Sequence, residues 1–102
     1  MGSRLSLHDE LKMLLGTDNC YFQPPESMKL KFPCFVYHRY NLDTKYADNK
    51  AYRNMWHYTV TFIHKDPDSD IPEKVMEHFQ NCRMDREFTL DNLYHDVFTL
   101  YY

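Results

Sequence analysis

The run Met55-Trp56-His57-Tyr58-Thr59-Val60-Thr61-Phe62-Ile63-His64 constrains the fold of this chain more than any other segment. Trp56, Tyr58, Val60 and Phe62 alternate with His57, Thr59 and Thr61. Successive side chains of an extended strand point to opposite faces, so the alternation predicts one apolar face and one wetter face. That pattern belongs to an antiparallel sheet covered on one side. The apolar face then needs a partner layer.

Two segments can supply that layer. Leu5 to Gly16 reads as a short amphipathic helix in which Leu7, Leu11, Leu14 and Leu15 share a face. Ser6 is its expected cap, Asp9 and Glu10 its expected acidic first turn, and Gly16 its left-handed stop. Further on, Ile71, Val75 and Phe79 recur every four residues, predicting a second helix through about Asn81. Asp70 before it, Pro72 in its first turn and Glu73 three residues on have the order of a capping box.

The other strands are read from β-prone runs and their punctuation. Pro24-Pro25 excludes helix from the irregular stretch Thr17 to Phe32. Pro33 introduces Cys34 to Tyr40, since proline is tolerated at a strand start. Cys82 to Leu90 and Leu93 to Tyr102 read as two final strands joined near Asp91-Asn92. In the last, Tyr94, Phe98, Leu100 and Tyr102 share one parity and Val97 the other. The expected fold is α+β: an antiparallel or mixed sheet of about four strands packed by two helices, in the order α-β-β-α-β-β. Its 102 residues make a single domain, 1–102.

Between the two central strands, Asn41 to Asn54 is polar and too long for a tight turn. It is expected to be a loop, and loops of that length commonly carry function. Tyr46, Asp48, Lys50, Tyr52 and Arg53 within it combine aromatic rings with charge, the makeup of interface anchors.

The composition bears on function mainly by exclusion. A net charge of −3, from 12 basic and 15 acidic residues without a basic run, argues against a nucleic-acid-gripping domain. Aromatic residues at 17% exceed the needs of one small core and favour protein association. Cys20, Cys34 and Cys82 are odd in number and lack metal-ligand pairing, so reduced thiols in a cytoplasmic setting are expected. No signal peptide is read at the start, and no apolar run approaches the roughly 18 residues of a membrane span.

Catalytic and metal readings find little purchase. Six histidines are present, but none is paired at the i, i+4 spacing of helical zinc ligands. His57 and His64 fall on opposite strand faces, as do the adjacent His95 and Asp96. There is no nucleophile elbow, and the two glycines cannot build a phosphate cradle. Cys34, inside a core strand, reads as a small hydrophobe. Asp66, Asp68 and Asp70 lack the glycine and final glutamate of a calcium loop and are explained by helix capping. The expectation is therefore no enzyme, no catalytic residue, no metal and no cofactor.

With these residues in view, the chain resembles the tail-completion, or tail terminator, proteins of long-tailed bacteriophages. The resemblance runs from about Tyr21 to Tyr102. It rests on Phe32-Pro33-Cys34-Phe35-Val36-Tyr37, on Tyr46-Ala47-Asp48-Asn49-Lys50-Ala51-Tyr52, on Asp66-Pro67-Asp68-Ser69 before a helix, and on Asp91 to Phe98. It implies a virion protein, assembled in the host cytoplasm, that forms a homo-oligomeric and commonly hexameric ring on the head-proximal end of the tail. Its implied partners are the major tail tube protein and a head–tail connector or neck protein. DNA passes through the lumen without specific binding, and no membrane is involved. Asn41 to Asn54 would then contact a neighbouring subunit or the tube. The alternatives are a head-completion or neck adaptor, and a small ligand-binding or enzymatic domain.

Overall fold

A computed structural model describes the backbone of residues 3–47 and 50–102, and the side chains of 3–40 and 56–102. Among the described residues there are two helices, α1 (Arg4–Leu15) and α2 (Ile71–His78). The strands are β1 (Cys20–Phe22), β2 (Cys34–Ala47), β3 (Lys50–His64), β4 (Cys82–Leu90) and β5 (Leu93–Tyr101). The α+β class and both helices agree with the sequence reading. The strand count does not. One sheet of five strands has the order β1-β2-β3-β5-β4, with β1 parallel to β2 and the other pairs antiparallel.

The alternation on β3 orients the sheet as expected. Tyr58, Val60 and Phe62 are buried, and Trp56 packs partly buried beside them. Register carries the apolar stripe sideways: Phe62 lies opposite Phe35, Val60 opposite both Tyr37 and Phe98, and Tyr58 opposite Leu100. Leu7 and Leu11 of α1, with Val75 and Phe79 at α2, close this face. Both helices thus lie on one side of the sheet.

The helix ends differ in detail from expectation. Ser3, not Ser6, caps α1, its hydroxyl accepting the Ser6 N–H at 3.1 Å. The helix therefore starts earlier, and Asp9 and Glu10 fall beyond its first turn. Gly16 ends it at φ 81°, where a side chain would be strained. Asp70 precedes α2 without a side-chain capping bond, so the capping box does not form. Its carboxylate pairs instead with Lys74 at 3.4 Å, while Ser69 Oγ accepts the Ile71 N–H at 3.3 Å. The helix stops at His78 rather than Asn81, yet Phe79, in extended conformation at its cap, still reaches the core.

Polar contacts fasten the helices to each other and to the sheet. Glu10 accepts hydrogen bonds from the Tyr102 hydroxyl and from His78 Nε2, the latter at 2.9 Å. One carboxylate so ties α1, α2 and the end of β5 together. The β4–β5 hairpin turns at Asp91-Asn92, whose φ values of 53° and 64° suit a two-residue primed turn.

Candidate functional site

Three features stand out from this frame: a two-stranded arm, a sheet face bare of helices, and a buried His–Asp pair beside a cleft.

The arm corrects the expected loop. β2 and β3 continue through the polar segment, pairing from Leu42 with Trp56 to Ala47 with Lys50. β1 has left β2 at Tyr37, β5 ends its register with β3 at His57, and Tyr102 closes that edge with two backbone hydrogen bonds to Trp56. Beyond those points the described backbone of the arm has no strand on either side. The longest dimension of the molecule is 48 Å against 28 and 23 Å, and the radius of gyration is 14.4 Å. A compact domain of this size has about 13 Å.

Two register breaks shape the arm. Tyr40 and Asn41 face one residue of β3 at its root, and Tyr52 is the extra residue near its end. Such bulges bend and twist a ribbon. Of the predicted contact residues, the backbone places Tyr46, Lys50, Tyr52 and Arg53 on this arm. Their side chains lie outside the described residues, and Asp48 lies outside altogether.

The bare sheet face carries the odd residues of β3 and β5. His57 sits between Tyr40 and Tyr101, with ring centres 5.2 and 4.9 Å away. At the other end Phe88 stacks on His95 at 4.7 Å, and the Arg86 guanidinium lies 5.2 Å from the Phe88 ring. Between them Val97 and Ile63 are mostly covered by their neighbours. Asp85, the extra residue of a β4 bulge, accepts from the Thr99 hydroxyl and from Arg83 Nε, the latter at 2.8 Å. The Thr99 bond foremost, and then Arg83, hold the Asp85 carboxyl below the usual carboxylate range.

On the helix-covered face, His64 Nε2 lies 2.7 Å from Asp96 Oδ2. The adjacent His95 and Asp96 lie on opposite faces, as strand alternation predicts. His64 and Asp96 are 32 residues apart and meet only because β3 and β5 pair in this register. Phe62 stacks on the His64 ring at 4.3 Å. A cleft of about 570 Å³ adjoins the pair, walled by Pro67, Pro72, Met84, Glu87 and Tyr94.

This pair does not assemble into a nucleophilic triad. The second imidazole nitrogen, Nδ1, is buried without a hydrogen-bond partner, so no hydroxyl or thiol of the described residues is poised on it. The cysteines are poor nucleophiles as well. Burial pushes the thiols of Cys20 and Cys34 up to about 12 and that of Cys82 to about 11. Thiols so raised stay protonated at neutral pH. The remaining histidines are dispersed, and no group of three or more His, Cys, Asp or Glu able to hold a metal occurs among the described residues. No helix there is long and apolar enough to cross a membrane.

Comparison with models of protein families, with curated proteins and with solved structures finds no match to this chain.

Proposed function

We propose that this protein is a structural component of a phage tail, forming a ring at its head-proximal end that stops tube growth and joins tail to head. The observation that carries the reading is the arm. An isolated two-stranded ribbon is marginal in water. One that runs past the body of its sheet offers unpaired backbone edges on both sides, to which further strands can add. The bare, aromatic sheet face adds a second surface suited to protein contact.

The stretches that carry the family resemblance fall on the same features. Phe32 to Tyr37 leads into and opens β2, and on the arm Tyr46 and Ala47 end β2 while Lys50 to Tyr52 begin β3. Asp66 to Ser69 leads into α2, and Asp91 to Phe98 forms the last turn and most of β5. The net charge of −3 suits a lumen through which DNA slides, because each cationic phosphate contact would add affinity.

The test uses tail-tube protein from the same phage. Polymerising tubes given the purified chain should stop growing and show density at one end by electron microscopy. Tubes that elongate at an unchanged rate with bare ends would overturn the reading.

A further inference from the structure

We infer that the bare sheet face of one copy docks on the outer helical surface of a second copy, so that the chain assembles head to tail. The inference rests on the proposed ring and names the two surfaces that would build it.

The first surface is cationic and aromatic although the chain as a whole is acidic. Among the described residues, the cations Arg83 and Arg86 lie on the bare face beside the imidazole rings of His38, His57 and His95, against one carboxylate, Asp85. Asp85 is already engaged by Arg83 and Thr99. The Arg86 guanidinium, by contrast, rests only over the Phe88 ring. Tyr40 is 66% exposed and Phe88 38%, giving apolar ring area beside the charge.

The second surface has the opposite sign and its own apolar area. On α1, Leu5, Asp9 and Met13 follow one another at four-residue spacing along the outer side, with Leu5 65% and Met13 64% exposed. On α2, Glu73 and Glu77 are exposed on either side of Met76. The lysines of these helices are already paired, Lys12 with Asp18 at 3.5 Å and Lys74 with Asp70 at 3.4 Å. The carboxylates therefore dominate the outer helical surface.

These surfaces lie on opposite sides of the same sheet, so a copy that offers one to a neighbour keeps the other free. That is a heterologous contact, which closes into a ring when the rotation per subunit allows. Opposite potentials also select this pairing over face-to-face or back-to-back dimers, which would oppose like charge. A single-stranded nucleic acid is the other occupant that stacked rings suggest. The face suits it less: backbone tracking needs a run of cations, and one of the two arginines is already held by Asp85.

The test blocks each surface separately with an exposed substitution that reverses its sign, Arg86→Glu on the sheet and Met13→Lys on α1. Masses are measured by analytical ultracentrifugation, with circular dichroism as the check on folding. Wild type is expected to associate beyond a dimer, and each variant alone to stay near the 12.5 kDa monomer. An equimolar mixture should form a 1:1 pair and nothing larger, because one good surface of each kind remains. Either variant assembling like wild type, or a mixture without the 1:1 pair, overturns the inference. So does a wild-type monomer at all concentrations, or labelled oligothymidylate bound by wild type and lost on Arg86→Glu. If tube capping survives such a result, the tail assignment stands and only the docking surfaces fail.

Discussion

His64 Nε2 and Asp96 Oδ2 are 2.7 Å apart, and each of the two side chains is only 6% exposed. A pair so little exposed is stable only as a pair, since either group alone would be left poorly solvated. Asp96→Leu or His64→Leu should each destabilise by about 3–5 kcal/mol. The double replacement should recover most of that loss, because an apolar pair carries no desolvation penalty. Urea unfolding of the three variants measures this directly. Single losses below about 1 kcal/mol would show that water reaches the pair.

Phe62 tests the orientation of the sheet. It is almost wholly buried, facing Phe35 across the β2–β3 ladder with ring centres 5.3 Å apart. Phe62→Ala should cost about 3–5 kcal/mol through lost burial and the cavity left behind. Tyr40→Ala on the bare face should change stability by no more than about 0.5 kcal/mol in the monomer. Equal losses at the two positions, read from denaturant midpoints, would mean that the apolar face had been misassigned.

A pH dependence follows from His8 and Tyr37. The Tyr37 hydroxyl is 2.7 Å from His8 Nδ1, and Arg4 donates to the same oxygen at 3.4 Å. Burial, then the charges of Lys12 and Arg4, lower the His8 pKa below its usual 6.5. Burial raises that of Tyr37, which keeps its proton to donate to neutral imidazole. The folded state therefore binds fewer protons at His8 than the unfolded chain. The stabilisation is complete above 6.5 and is lost as pH falls through the lowered value. Relative to His8→Gln, wild type should lose melting temperature from about pH 6.5 downward. A difference between the two proteins that is constant from pH 8 to 5 would exclude this linkage.

The parts of the fold legible in the sequence are those whose pattern is written by burial. Tyr58, Val60 and Phe62 alternate because one face of β3 meets helices, and Leu7 and Leu11 repeat because α1 lies on that face. β1 left no comparable trace: three residues are too few for a period, and only pairing with Phe35 to Tyr37 makes them a strand. The arm was hidden for the opposite reason. Its segment is polar and lacks the apolar alternation that marks a half-buried strand, and such composition reads as loop. His64–Asp96 depends on the register between two strands that sequence spacing does not determine, though a carboxylate within the apolar stripe of β5 was a usable sign.

The arm itself yields the most consequential prediction. Its described backbone pairs only within itself beyond Trp56, so its removal should leave the core of the domain intact. Replacing residues 44–54 by Asn-Gly would join Asp43 to Met55, a register pair, through a turn that favours two-residue hairpins. The shortened chain should unfold within about 1 kcal/mol of wild type, because no residue of the buried cluster is touched. It should nonetheless fail to cap tail tubes, leaving tails overlong or unjoined to heads. The milder Tyr46→Ser/Tyr52→Ser double variant asks whether the aromatic rings carry the contact. If they do, it should reproduce the defect in an otherwise folded protein, as aromatic anchors commonly dominate interface energy. Tails of normal length and full infectivity from both variants would remove the arm from the assembly contact. The bare sheet face, with Arg86 and Phe88, would then be the surface left to carry it.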